Sequence, residues 1–279
     1  MKKIKAAIFF FAITGYAYAQ TPSCCAPSST QQFAMLGHDE KFIASHLAPE
    51  PINFIPAKGT MVTYQTPDGK KAKAFEVKAD VPTNNYVFVF HEWWGLNDYI
   101  KKTAEQLQKD LGNVNVLALD LYNGDVATKP EEAGELMQNT QAKRIIAIII
   151  GASNYAGAEA NVQTIGWCFG GTWSLQCAEI LKEKTKGCVM YYGMPEKKKE
   201  EIEKINFPVL GIFANKDGWI TPELVTAFET DMKASGKQIT IKRYDADHAF
   251  ANPSNPKFDK TSTDDAYISA IGFLKNNIK

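Results

Sequence analysis

A chain of 279 residues, 45% hydrophobic and 22% charged, has the composition of an ordinary globular protein with one α/β domain, or at most two small ones. Its 31 Lys and Arg balance 31 Asp and Glu. No long basic run stands out, since Lys197 to Lys199 are offset by Glu200, Glu201 and Glu203, and nucleic acid is excluded as an expected partner.

The N-terminus reads as a targeting segment over residues 1–19. Lys2, Lys3 and Lys5 form a basic start, Ala6 to Thr14 an apolar stretch, and Ala17-Tyr18-Ala19 a small-x-small cleavage pattern before Gln20. The apolar stretch is far shorter than the roughly 20 residues that span a bilayer. The expectation is a cleaved signal peptide, an exported protein (periplasmic or secreted) and no stable membrane anchor. Without those residues, 28 basic side chains face 31 acidic ones, a net charge of −3. Export permits disulfides, but Cys24-Cys25, Cys168, Cys177 and Cys188 make an odd, scattered set and no disulfide framework. Cys177 and Cys188 read as small core residues.

Residues 20–58 read as a leader and N-terminal extension. The part up to 32, rich in Thr, Pro, Ser and Gln, is expected to be unstructured, and Phe33 to Leu47 to form a short helix. The main domain is expected over 59–279. Met61 to Thr66 and Lys71 to Lys78 alternate as two strands around the turn Pro67-Asp68-Gly69-Lys70. Tyr86 to Phe90 and Val114 to Leu119 are apolar strands flanking a helix over Asp98 to Lys109. Glu131 to Ile150 reads as one helix or two. Asn161 to Ile165 is a strand and Thr172 to Leu181 a helix. The strands Gly187 to Tyr192, Pro208 to Ala214 and Gln238 to Tyr244 follow, with helices over Pro222 to Ser235 and Asp264 to Asn276. This alternation predicts an α/β fold: a doubly wound, mostly parallel sheet with helices on both faces.

Sites in such sheets assemble beyond the carboxyl ends of the strands. Gly166-Trp167-Cys168-Phe169-Gly170-Gly171 joins a strand to a helix, the context of a nucleophile elbow with cysteine as the reactive residue. His91-Glu92, Asp217 and His248 each follow another strand. Nucleophile, acid and histidine appear in the order found in α/β-hydrolases. His91 is expected to pack near its strand end, and Asp247 to be a solvated turn residue.

These motifs resemble the dienelactone hydrolase family. Gly166 to Gly171 is similar to its Gly-x-Cys-x-Gly-Gly elbow, His91-Glu92-x-x-Gly95 to the segment bearing its fourth catalytic group, and Tyr191-Tyr192-Gly193, Lys216-Asp217 and His248-Ala249-Phe250 to further family motifs. The resemblance implies an α/β-hydrolase fold. It implies Cys168 as nucleophile, His248 as base and acid, Asp217 as the group orienting the imidazole, and Glu92 as acceptor of the thiol proton or as the group that holds the thiol until substrate shifts the network. The backbone N–H groups of Phe169 and Trp93 would form the oxyanion hole. Trp94, Tyr122, Tyr192 and Trp219 are candidates to line the substrate pocket, with Trp173 in the core.

The sequence departs from the family at two places. Members acting on dienelactone hold the substrate carboxylate with two arginines; here Asp120-Leu121-Tyr122 is followed by Asn123-Gly124-Asp125, and His248-Ala249-Phe250 by Ala251-Asn252. Arg144 and Arg243 are the only arginines, and neither stands at a matching position. A small neutral or aromatic ester or lactone is therefore expected, cleaved through an acyl-thioester on Cys168. A ligand-binding protein without catalysis is the alternative, and a redox protein using Cys168 with Cys177 or Cys188 a third reading. No Cys-x-x-Cys motif and no His/Cys cluster at metal-binding spacing is present, so neither a metal nor any other cofactor is expected.

Overall fold

The computed structural model describes residues 27–278, so the targeting segment and Cys24-Cys25 lie outside the described residues. Eight strands form one sheet in the order β1-β2-β4-β3-β5-β6-β7-β8. β1 (Thr60–Gln65) and β2 (Lys71–Val77) form the predicted hairpin, and β2 joins β4 (Asn115–Leu119) antiparallel. All other pairings, through β3 (Asn85–Phe90), β5 (Asn161–Trp167), β6 (Thr185–Tyr191), β7 (Val209–Ala214) and β8 (Ile239–Tyr244), are parallel. β4 and β7 are buried along their whole length, which is why they read as continuous apolar runs and not as alternating ones.

The helices follow the predicted alternation: α3 (Asp98–Leu111), α4 (Pro130–Asn139), α5 (Ala142–Ala156), α6 (Phe169–Leu181), a short α7 (Lys199–Ile202), α8 (Pro222–Ala234) and α9 (Lys260–Asn276). The isoleucine-rich run from Ile145 is helical despite its branched side chains. Ile145, Ile148, Ile149 and Ala152 recur at helical spacing and all are buried.

The N-terminal extension differs from expectation. Residues 29–32, expected to be unstructured, open α1 (Ser29–Met35), which a 3-10 turn (Leu36–His38) and α2 (Glu40–Ala44) continue. The physical reason is a capping box. Ser28 Oγ accepts from Gln31 N–H while the Gln31 side chain accepts from Ser28 N–H, so two orphan donors are satisfied together. The segment lies on α4 and α6, and its Phe33 and Phe42 are completely buried.

Candidate active site

Parallel register brings the strand ends level. Phe90 is paired with Gly166, Trp167 with Tyr191, and Ala214 with Tyr244. The residues that follow, Glu92, Cys168, Asp217 and His248, therefore emerge on one rim of the sheet. β3 lies between β4 and β5, the strands that follow it in sequence, so the chain winds away on both sides of it and opens the crevice where such folds bind ligands.

Cys168 sits at the elbow with φ 58° and ψ −122°, a conformation that non-glycine residues rarely adopt. Its N–H donates to Tyr191 O at 3.0 Å, and its carbonyl accepts from Gly171 N–H at 3.0 Å. The flanking glycines are needed for contact. A Cβ at Gly170 would run into the carbonyl oxygens of Phe90 and His91, and one at Gly166 into the Gly170 carbonyl. Strain held at one residue by such tight surroundings is typical of functional positions.

His248 Nδ1 donates to Asp217 Oδ2 at 2.6 Å, and Asp217 Oδ1 accepts from the N–H groups of Trp219 and Ile220, both at 2.9 Å. Burial alone would raise the Asp217 carboxyl, but the His248 charge and these hydrogen bonds hold it below its ordinary value. Burial likewise opposes a charged His248, yet the Asp217 charge and hydrogen bond outweigh it and raise the ring's pKa. Burial, above all, raises the Cys168 thiol, with His248 and the Phe169 N–H pulling the other way. The competing acids are turned elsewhere: Asp245 pairs with Lys216 and Asp247 with Lys257 near the surface.

Glu92 is also buried. Its Oε1 accepts from the Tyr192 hydroxyl at 3.4 Å and its Oε2 from Asn252 Nδ2. Burial raises it to about 7, against the opposing effects of His248, Tyr192 and Asn252. Asn252 went unassigned in the sequence. It was visible only as the residue present where a carboxylate-binding arginine is absent. His91 packs at its strand end as expected, its Nε2 accepting from Leu121 N–H at 3.2 Å.

Of the predicted pocket residues, Tyr122 borders a surface cavity with Asn123 and Arg144, and the others are packed against neighbouring rings. Trp94 packs on Trp93, Tyr192 on His248, and Tyr122 between His91 and Phe169, all three buried. Trp219 meets Phe42 edge-on at 5.2 Å. Part of this packing comes from the N-terminal segment. Phe42 and His46 contact Trp93, Trp219 and His248, while Phe33 packs on Phe169 and His248. Under this cover Cys168 is 1% exposed. A cavity of about 240 Å³ does reach Glu92 and Asn252 from the other side, bordered by Tyr99, Trp167, Tyr191 and Tyr267, and by none of the four predicted aromatics.

No metal-type spacing exists in the sequence, but the fold assembles a His/Cys group. His46, Cys168 and His248 each present a ligand atom, all within 4.8 Å of one another. Folding brings together residues too far apart in sequence for any spacing rule to join. His46 is itself a residue that sequence reasoning missed, although Phe42 and His46, four apart at the end of a predicted helix, were a signal of one aromatic face. Cys177 and Cys188 are free, buried core residues, and burial raises both thiols.

Residues 73–278 match the model of the dienelactone hydrolase family. This chain belongs to that family. Protein Usf of Aquifex pyrophilus is 30% identical over 203 residues, covering 68% of this chain and 87% of its own. A carboxymethylenebutenolidase of Pseudomonas sp. is 28% identical over 134 residues, 46% of this chain and 53% of that one. The crystal structure of a dienelactone hydrolase-like promiscuous phosphotriesterase from metagenomic libraries is similar at a TM-score of 0.68 and 20% identity, over 80% of this chain and 100% of the other. That last likeness is one of fold. As a dienelactone hydrolase family member the chain is a hydrolase, and its family implies small-molecule ester substrates. The family match begins at residue 73, so Phe33, Phe42 and His46 lie outside it. Arg144 lies beside the β4 end, next to Asn123 and lining a pocket with Tyr122, but both arginines are already engaged. Arg144 is fixed by Asp68, Asn123, Thr66 and the Lys71 carbonyl, and Arg243 by Glu229 and Thr226.

Proposed function

We propose that this protein is an exported hydrolase of small esters or lactones lacking a carboxylate, acting through an acyl-thioester on Cys168. The observation that carries this reading is the strained elbow at Cys168 on the same rim as the Asp217–His248 pair. Cys168 Sγ attacks the substrate carbonyl carbon while its proton passes to His248, which returns it to the departing alcohol oxygen. Water then adds to the thioester, giving its proton to His248, and the acid leaves as Sγ is restored. Asp217 holds the imidazole in the required tautomer and stabilises its charged form. Glu92, raised to about 7 by burial, holds the thiol in the free enzyme until substrate shifts the network and the thiol gives its proton to His248. The N–H groups of Phe169 and Trp93 are the oxyanion donors in this reading.

The absence of arginine at the two family positions supports a neutral substrate, and Arg144 beside Asn123 is already tied to Asp68, Thr66 and the Lys71 carbonyl. A buried-type charged hydrogen bond contributes roughly 1.5–3 kcal/mol, so lacking two such contacts disfavours dienelactone itself. Because Cys168 is covered by the 29–46 segment, entry from that face goes with a shift of the segment, while the cavity at Glu92 and Asn252 opens away from it. Export rests on the basic, apolar and small-x-small order of residues 1–19, and the mass of the mature protein should correspond to a start at Gln20.

The test is a panel of small aryl esters and lactones with intact-protein mass spectrometry. An acyl adduct on Cys168 and loss of turnover by at least about 10⁴-fold in a folded Cys168→Ala variant are expected. An active Cys168→Ala enzyme sinks the reading, and binding without any adduct points instead to a ligand-binding role.

A further inference from the structure

We propose that His46, Cys168 and His248 form a binding site for one borderline transition-metal ion of the Zn²⁺ type, complete only while the N-terminal segment is seated. The three ligand atoms lie within 4.8 Å of one another. A tetrahedral zinc site with Zn–S of about 2.3 Å and Zn–N of about 2.0–2.1 Å places its ligand atoms about 3.3–3.6 Å apart. The widest pair thus closes by about 1 Å, within reach of small side-chain rotations at the end of a short helix.

The hydrogen bonds fix which nitrogen each ring offers. His46 Nδ1 lies 2.6 Å from the Phe42 carbonyl oxygen, which can only accept, so Nδ1 carries the proton. His248 Nδ1 likewise donates to the Asp217 carboxylate. Both rings therefore turn Nε2 inward; His46 Nε2 is buried without a protein partner, and His248 Nε2 is buried facing Cys168. An imidazole whose far N–H is held by a carbonyl or carboxylate is the usual arrangement of a metal-bound histidine. Here both orienting partners stand in place.

The donor set selects the ion. One thiolate and two imidazoles suit Zn²⁺, Co²⁺ or Cu⁺ and not the oxygen-seeking Mg²⁺ or Ca²⁺. Charge also balances, because the Cys168 thiolate and the adjoining Asp217 carboxylate together offset a divalent cation in a buried place. Binding releases the thiol proton, and any proton on His248 Nε2, to solvent, so affinity rises with pH. Three protein ligands leave one tetrahedral position to water.

Two consequences follow from one event. The ion occupies Sγ, and it ties the 29–46 segment to the strand ends through His46. The first makes the metal an inhibitor, a clause that rests on the hydrolase reading; the site itself does not.

The test uses the mature full-length chain and Co²⁺ as a spectroscopic probe, with Zn²⁺ as competitor. Expected are one equivalent bound, the intense visible bands of tetrahedral Co²⁺ and a thiolate-to-cobalt charge-transfer band, all displaced by Zn²⁺. His46→Ala should weaken Zn²⁺ by at least about a hundredfold, exceeding the 10–100-fold typical of losing an outer-sphere partner. His46→Gln and Cys168→Ser, checked for fold by circular dichroism, should do the same, and Cys168→Ser should also abolish the charge-transfer band. Bands that survive in Cys168→Ser but vanish when Cys24 and Cys25 are both serine would overturn the site. So would an unchanged affinity in folded His46→Ala and His46→Gln. Zinc binding with no catalytic activity at all would leave the site standing and remove only its inhibitory role.

Discussion

The strand ends and the segment that covers them are built in opposite ways. Glu92, Cys168, Asp217 and His248 are held by local backbone devices: a strained elbow, two N–H donors to Asp217, and level strand register. The cover is held by packing. Phe33 and Phe42 sit on Phe169, Trp93, Trp219 and His248, and α1 and α2 are too short to persist without those contacts. The difference teaches that chemistry and access are separable here. The rim's geometry is set bond by bond, whereas the cover meets it through side chains, so opening of the cover as a unit is the expectation that Phe42→Ala and Asp39→Ala test.

The sharpest test of the rim is Asp217→Asn. It preserves shape but takes away the charge that favours the imidazolium and permits the wrong tautomer, so turnover should fall about 10³–10⁴-fold. Ester hydrolysis with the variant's fold checked by circular dichroism measures it. A loss under tenfold would mean that Asp217 merely packs against His248, and the rim would then be no better organised than its cover.

Phe42→Ala tests the cover. Truncating a fully buried phenylalanine costs about 3–5 kcal/mol. If the segment opens as its own unit, that cost appears as alkylation of Cys168 at least about a hundredfold faster, up to several thousandfold, while the denaturant midpoint of the sheet barely moves. Phe88→Ala, inside β3, should show the reverse. Equal midpoint losses in the two variants, without selective labelling, would merge cover and core.

How legible each region was follows from the same contrast. Strands ending in Phe90, Trp167, Ala214 and Tyr244 and the glycines around Cys168 write their role into neighbouring residues, because a sharp turn demands particular residue types within a few positions. The cover's role is written nowhere locally. Phe42 and His46 meet Trp93 and His248 across long sequence separations, and nothing in a short amphipathic stretch says which surface it will bury. Trp94, Tyr122 and Tyr192 stand where strand-end residues belong, but no local pattern announced the segment packed over this rim. The start of α1 at Ser29, by contrast, was available in the Ser28-x-x-Gln31 pattern.

Glu92 tests the rim alone, through pH. Its folded-state value of about 7 lies above the ordinary 4.5 because it is buried. The native state therefore holds an extra proton between those values, and stability falls as pH rises from about 4.5 to about 7, levelling above. The full span is on the order of 3 kcal/mol. Chemical denaturation across that range should show a declining slope in the wild type and a smaller one in Glu92→Gln. Matching slopes would assign the pH dependence to other groups.

The smallest effect should come from the cap of α2. Asp39 Oδ1 accepts from the N–H groups of Lys41 at 2.8 Å and Phe42 at 2.9 Å. Asp39→Ala leaves those donors unpaired at a cost of about 1 kcal/mol, which multiplies the open fraction of the cover about fivefold. While opening and closing outpace alkylation, Cys168 labelling should rise by that factor. Asp39→Asn, a comparable cap, should restore the slow rate. Asp39 touches nothing on the rim, so a fivefold change in labelling with turnover chemistry intact would place control of access in the helix that carries Phe42. No change in labelling would mean that the packing of Phe33 and Phe42 alone decides when the cover lifts.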